Sequence, residues 1–174
     1  MEAEEFGYNR GTEVSSQQKK TYAVIDGLNV AFARNDGVAR LSDLVAISKH
    51  ISNEYDKFDI IADASARHKI ADQIGFDSFV KKGKIQLCPA GIDADDLIWM
   101  RAKSLCNKGY EVSIVSNDMF PVSRSKKEGI CVASVVVSIF HDGDIYSITR
   151  NPNRYPIVKA PLTGGEVHLV ELQS

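Results

Sequence analysis

The stretch that decides the fold is Tyr22-Ala23-Val24-Ile25-Asp26-Gly27-Leu28-Asn29-Val30. A short apolar run rich in β-branched residues ends on Asp26, and a glycine that lets the backbone turn follows directly. This pattern predicts a buried strand that delivers a carboxylate to the edge of a sheet. Because ligands of open α/β sheets bind outside the carboxyl ends of the strands, we expect Asp26 in the functional crevice. Asn29 is near enough in sequence to orient that carboxylate by a hydrogen bond.

Strand patterns alternate with helix patterns along most of the chain outside this stretch. Helical spacing predicts a first helix over about Asp43–Tyr55, with Ser42 as its N-cap. A second helix is predicted over Ile70–Lys82, with Ile74, Phe79 and Val80 facing inward. A third is predicted over residues 94–107, with Asp93 as its N-cap. Short β-rich runs predict strands at 58–62, 84–88, 111–116 and 130–133. The alternation indicates βαβ crossovers and a Rossmann-like three-layer α/β/α sandwich with a mainly parallel sheet.

The last third of the chain changes character. Asp142-Gly143 separates β-rich runs at 135–140 and 145–149, and Asp-Gly in this setting is a strong hairpin signal. Further extended stretches follow at 155–158 and 166–172. We therefore expect a C-terminal β-hairpin beside the parallel sheet.

The bulk properties restrict the class of protein. A length of 174 residues with a net charge of -2 suits one globular domain, which we place at residues 21–174 behind a flexible polar leader at 1–20. The three cysteines form no zinc or disulfide pattern and are expected to be buried thiols in a reducing compartment. With no signal peptide or bilayer-length apolar run, the sequence predicts a cytoplasmic protein without membrane contact.

Acidic residues stand at several predicted strand or helix edges, namely Asp26, Asp63, Asp93 with Asp95 and Asp96, and Asp118. Helix capping alone would explain the group at 93–96, and Asp118 has the same alternative. Carboxylates about 4 Å apart, however, repel by roughly 4 kcal/mol unless a cation offsets the repulsion. With no cysteine or paired histidine beside them, oxygen ligands favour Mg²⁺ or Mn²⁺. Such a site suits a metal-dependent nuclease.

Basic residues follow the same predicted strand ends, where they could hold a phosphate backbone against the acids. They are Arg34, Arg67, His68, Lys69, Arg124, Lys126 and Lys127. Taken singly, each is better explained as a solvated surface residue. We name Arg34, Arg67 and Lys126 as the hypothetical backbone contacts.

These segments, in this order, resemble the NYN branch of the PIN-like ribonucleases, in particular the catalytic domain of Regnase-type CCCH-finger endoribonucleases. The matching pieces are residues 24–30, 64–67, 70–82, 95–96, 115–118 and 137–140, which together cover roughly 22–153. The resemblance implies an endoribonuclease that cuts single-stranded or loop RNA with Mg²⁺, through catalytic and metal-binding Asp26, Asp95, Asp96 and Asp118. It also implies that Asn29 orients the first acid and that Ser116 and Asn117 shape the substrate pocket.

The chain departs from that family pattern at three points. Asp63 replaces a residue that is usually uncharged, Leu97 replaces the basic residue that commonly follows the paired aspartates, and no CCCH finger is present. One alternative is a PIN-like RNA-binding or regulatory module that does not cut. Another is a phosphatase of the haloacid dehalogenase type, which needs a second aspartate where this chain has Leu28. A homodimer and a protein partner tethered by the leader both stay open.

Overall fold

In a computed structural model, strand β1 (Thr21–Asp26) lies between two parallel neighbours. The structure describes residues 18–139 and the strand backbones of 145–150, 157–161 and 168–170. The predicted leader up to residue 17 and the Asp142-Gly143 turn lie outside these residues. The remaining elements are α1 (Gly27–Ala31), α2 (Leu41–Glu54), β2 (Lys57–Ala62), α3 (Ala66–Lys69), α4 (Gln73–Lys81), β3 (Gln86–Leu87), α5 (Ala94–Asn107), β4 (Glu111–Val115), α6 (Phe120–Glu128), β5 (Ala133–Ile139), β6 (Ile145–Arg150), β7 (Ile157–Pro161) and β8 (His168–Val170).

The strands form one sheet in the order β3-β2-β1-β4-β5-β6-β7-β8. The first five are parallel, and β5 through β8 pair antiparallel. The chain builds the sheet outward from β1 through β2 and β3, then returns to the other side of β1 with β4. The order therefore reverses between β1 and β4, which makes a topological switch point at their carboxyl ends.

Helices cover both faces of the parallel part of the sheet. On one face, α1 to α4 pack over β1 and β2 through a core that includes Ile25, Leu44, Ile47, Ile60 and Phe76. On the other face, α5 packs through Ile98, Trp99 and Leu105 against Val24 and Ile114, and Phe120 of α6 joins this layer. The predicted three-layer α/β/α architecture with a mainly parallel sheet is confirmed. The antiparallel pairing of β5 with β6 confirms the hairpin strands.

Several local predictions were wrong for identifiable reasons. The first long helix begins at Leu41, so Ser42 lies inside it, and the N-cap is Arg40, which makes no side-chain cap bond. The segment 70–82 is divided, because Ile70 pairs with Ala39 in an isolated bridge and Asp72 then caps α4.

Within α4, the inward face differs from the one predicted. Ile74 is 87% exposed, whereas Phe76 is fully buried, and Phe79 and Val80 are partly buried as expected. Phe76, Phe79 and Val80 are three and four positions apart and share a helix face, whereas Ile74, two positions before Phe76, lies on the opposite side.

Two further differences concern the end of the parallel sheet and the cysteines. The expected strand at 130–133 is instead the approach to β5, which begins at Ala133. The basic segment after β4, for which the sequence predicted no particular element, forms α6 with Pro121 in its first turn. Cys88 is buried, but Cys106 is intermediate and Cys131 is exposed, so the expectation of buried thiols holds only for Cys88.

Candidate metal centre

Asp26 is the innermost residue of the site. It ends β1 and is only 5% exposed, and its Oδ1 caps α1 by accepting from the Asn29 backbone N–H at 3.2 Å. Its Oδ2 accepts from the Ser116 hydroxyl at 3.1 Å. A side chain on Gly27 would meet Ile60 Cγ2 at 3.0 Å and Ala62 Cβ at 3.3 Å. A side chain at this position would require these neighbours to shift by a few tenths of an ångström, so glycine suits the close approach of α1 to β2 directly after the carboxylate.

Asp118 reaches the site from the loop after β4. Asn29 Nδ2 donates to Asp118 Oδ2 at 2.9 Å, and Asn29 Oδ1 accepts from the Asn117 backbone N–H at 2.7 Å. The Asp118 backbone N–H in turn donates to Ser116 Oγ at 3.2 Å. Asn29 and Ser116 therefore connect the first acid to the last, across the switch point.

Asn117 fixes this loop from the opposite side. Its side-chain Oδ1 accepts from the Val137 N–H at 2.7 Å, and its Nδ2 donates to the Val137 carbonyl oxygen at 2.6 Å. The amide thereby joins the loop after β4 to strand β5. Sequence reasoning placed Asn117 in the pocket, but this pairing with β5 has no local sequence signal.

Asp95 comes from the first turn of α5. The predicted cap is confirmed, since Asp93 Oδ1 accepts from the Asp95 backbone N–H at 2.9 Å. The neighbouring Asp96 is more exposed and pairs with Arg124 of α6 at 2.6 Å. Consecutive helical residues point in different directions, which explains why the two adjacent acids have different partners. A role for Asp96 in the chemistry stays a prediction.

Three of the four predicted acids come together. One carboxylate oxygen each from Asp26, Asp95 and Asp118 lies within 4.8 Å of the other two. Within residues 18–139, no arginine, lysine or histidine forms an ion pair with any of the three. The donors are all hard carboxylate oxygens, which fit Mg²⁺, Mn²⁺ or Ca²⁺ better than zinc. The cluster could thus hold a metal ion through oxygen ligands alone.

The pKa values of the cluster are raised mainly by burial and further by the charges of neighbouring carboxylates. Burial raises the pKa of Asp26 to about 6 against the opposing hydrogen bonds from Asn29 and Ser116, and the charges of Asp95 and Asp118 raise it further. Partial burial, followed by the charges of Asp93 and Asp118, also raises the pKa of Asp95. A bound cation would reverse this balance by favouring the ionised carboxylates.

The thiol of buried Cys88 is influenced by the acids of this region. Burial raises the pKa of its thiol to about 11, with further contributions from Asp63, Asp26 and Asp93. The thiol therefore stays protonated at neutral pH in the metal-free protein. Asp63 itself accepts from the Ser65 N–H at 2.6 Å, so it closes a turn after β2.

The three residues predicted to contact a phosphate backbone differ in whether they form an ion pair within the described part of the protein. Arg34 makes a bidentate ion pair with buried Asp43, at 2.6 and 2.8 Å, and Arg67 pairs with Asp77 at 2.7 Å. Lys126 is exposed on α6. The pair of Arg34 and Asp43 links the loop after α1 to α2, and the sequence analysis did not predict it because it joins two different elements.

No protein-family model matches the chain, and no curated protein matches it. The resemblance to the PIN-like ribonucleases thus stays a prediction from the residues quoted above. Among the described helices, none combines the length and apolar character needed to cross a membrane.

Proposed function

We propose that this protein is a metal-dependent endoribonuclease that hydrolyses phosphodiester bonds of single-stranded or loop RNA. The observation that carries the proposal is the convergence of Asp26, Asp95 and Asp118, whose carboxylate oxygens lie within 4.8 Å of one another. These acids come from β1, α5 and the loop after β4, so only the folded sheet edge assembles them.

The arrangement is better explained by a cation than by structure alone. Two carboxylates about 4 Å apart repel by roughly 4 kcal/mol at an effective dielectric near 20. Capping accounts for Asp93, but the side chain of Asp95 is not needed for that cap. Among the residues that the structure describes, the hydrogen-bond partners of buried Asp26 are a neutral hydroxyl and a backbone N–H rather than a basic side chain. A divalent ion would satisfy all three acids together.

The chain's own residues have distinct tasks in this proposal. A divalent ion held there would polarise a phosphoryl oxygen and lower the pKa of a water molecule. Asn29 and Ser116 hold the carboxylates of Asp118 and Asp26 in place through the bonds described above. Asp96, in its pair with Arg124, is a candidate outer acid that assists through water.

RNA as the substrate rests on the resemblance and on the charge distribution. Arg124 lies over the Phe120 ring at 5.7 Å, and exposed Lys126 and Lys127 follow on the same short helix. Cations on α6, the helix that directly follows the loop of Asp118, suit a phosphate backbone. The acidic cluster by itself supports phosphodiester chemistry, and the resemblance supports RNA.

The test is cleavage of labelled single-stranded and stem-loop RNA by the wild type and by Asp118→Asn, with Mg²⁺, Mn²⁺ or EDTA. The proposal expects internal cleavage by the wild type with metal, and loss of at least about 100-fold in the variant or with EDTA. Asp72→Asn is a matched control, because asparagine also caps a helix and α4 is retained.

Intact RNA in every lane, with both proteins folded, would contradict the proposal. Metal-independent RNA binding in the same samples would then indicate a non-cleaving RNA-binding module. Hydrolysis of a small phosphate monoester without RNA cleavage would instead indicate a phosphatase.

A further inference from the structure

A second concave site lies beside β2 and shares no lining residue with the acidic cluster. The groove has a volume of about 400 Å³ and runs between α2 and the segment that follows α4. Its apolar lining comes from Leu44, Val45, Phe58, Ile60, Phe79 and Ile85. Val45 is 37% exposed, so apolar surface is open to an occupant at this position.

The groove borders a part of the β2 edge that pairs with no strand in the described part of the chain. Strand β3 pairs with β2 only at Ile61 and Ala62, so residues 57–60 have no outer neighbour among the strands that the structure describes. Such an edge is a template for another extended segment. Phe58 and Ile60 are two residues apart in β2 and both belong to the core on the α2 side. An added strand would need apolar side chains with the same two-residue spacing.

Positive charge surrounds this edge. Lys49 and Lys84 line the groove and are exposed, with Lys84 5.6 Å from the centre of the Phe79 ring. The acid on this part of β2, Asp59, is occupied by hydrogen bonds from Tyr22 and Arg101. The groove therefore suits a segment that combines acidic and apolar residues.

We propose that the N-terminal segment Glu2-Ala3-Glu4-Glu5-Phe6-Gly7-Tyr8 of the same chain adds to the outer edge of β2 and places its aromatic rings in this groove. Phe6 and Tyr8 are two residues apart, so both rings face the same side of an extended segment. The preceding glutamates complement the two lysines. This docking goes beyond the proposed nuclease function and does not depend on it.

The chain leaves the described part of the protein in a suitable place. Gln18 lies between two shallow depressions. One is lined by Lys108, Gly109 and Tyr110, and the other by residues 53–56 at the end of α2, whose Ser52 lines the groove. The ten residues from Tyr8 to Gln18 span up to about 33 Å when extended, so the segment can reach the groove within one molecule.

Amide hydrogen exchange of the full chain tests this docking. We expect slow exchange for the amides of residues 57–60 that point away from β1, and about tenfold faster exchange in the double variant Phe6→Ser/Tyr8→Ser. Val14→Ser is the matched control within the leader and leaves these rates unchanged. Unchanged protection of Val24 and Ile25 in β1 shows that the fold is intact.

A charge exchange provides a second, independent measurement. Lys49→Glu/Lys84→Glu should accelerate exchange at 57–60, and adding Glu4→Lys/Glu5→Lys should restore the slow rates. Equal exchange in the wild type and the aromatic double variant would overturn the proposal. Protection that disappears on dilution would also overturn it, because the occupant would then be a second copy or another peptide.

Discussion

At the scale of single residues, Asp26 is subject to two opposing demands. Its position at the end of β1 buries it, and burial favours the protonated form. A metal ligand must instead be ionised. The fold supplies hydrogen bonds from Asn29 and Ser116, but these only partly offset the burial. In the metal-free protein the ionised form of Asp26 is therefore unfavourable, and the stability of the fold should depend on pH.

The first prediction concerns the pH dependence of unfolding without metal. The folded protein retains the Asp26 proton up to about pH 6, whereas the unfolded chain releases it near 3.8. The free energy of unfolding should therefore fall as the pH rises through that window. At about 1.4 kcal/mol per pKa unit, the loss is roughly 3 kcal/mol at pH 7. Urea unfolding in EDTA at several pH values measures it.

Asp26→Asn isolates this effect, because the variant lacks the titrating group. His50, whose pKa is lowered by burial, acts in the opposite direction but is present in both proteins. The difference in stability between the two proteins should change in favour of the variant from pH 4 to pH 7. Parallel pH curves would contradict the prediction.

The second prediction concerns Asn29, which contacts the cluster without belonging to it. Asn29→Ala removes the bonds to Asp118 and to the Asn117 N–H. Loss of a residue that orients a metal ligand typically lowers metal affinity by about 10- to 100-fold. Titration with Mn²⁺ measures this, with exposed Asn53→Ala as the control. Equal Mn²⁺ affinity in Asn29→Ala and the wild type would show that Asp118 needs no such support.

At the scale of elements, α4 shows how helical spacing decides which residues are buried. Phe76, Phe79 and Val80 are three and four positions apart and share one face, whereas Ile74, two positions before Phe76, lies on the other side and faces solvent. The prediction that Ile74 points inward combined it with residues five and six positions away, which do not share its face. The predicted start at Ile70 was too early, because Ile70 is apolar but pairs with Ala39 in a bridge before the Asp72 cap.

The third prediction follows from that face. Phe76→Ala should cost about 3–5 kcal/mol of unfolding free energy, because a fully buried ring is lost. Ile74→Ala should change the unfolding free energy by no more than about 0.5 kcal/mol, since 87% of the residue is exposed. Urea denaturation of both variants measures the difference. A larger cost for Ile74→Ala would reverse the assignment of the buried face.

At the scale of the whole molecule, a bound ion would join three elements that are distant in sequence. A ligand that binds only the folded state at about 100 times its Kd adds about 2.7 kcal/mol to the unfolding free energy. For a domain of this size, the fourth prediction is a rise in Tm of roughly 5–10 °C with saturating Mn²⁺. Calorimetry with and without EDTA measures it.

Asp118→Asn supplies the control for this whole-molecule effect. The variant should keep its metal-free Tm within a few degrees and lose most of the increase with Mn²⁺. An equal increase in both proteins would place the ion elsewhere. The effect should also be smaller at pH 5 than at pH 7.5, because protons compete for Asp26 below about pH 6.

Some features of the site could be predicted from local sequence patterns, and others could not. The run that ends on Asp26 and the cap at Asp93 are local patterns, and both formed as expected. The separation of Asp95 from Asp96 depends on which side of α5 faces the sheet edge and on the neighbouring Arg124. The bonds between Asn29 and Asp118, and between Asn117 and Val137, join residues from different elements and have no local pattern.

By itself, the sequence determined the α/β class, the alternation of strands and helices, and the acids that end them, because apolar periodicity and capping act over a few residues. Only the tertiary structure decided that Asp26, Asp95 and Asp118 meet while Asp96 pairs with Arg124, and that Phe76 rather than Ile74 is buried. These outcomes depend on strand order, helix rotation and packing between distant segments. Such long-range contacts are selected by the total free energy of the fold, which no short stretch of sequence contains.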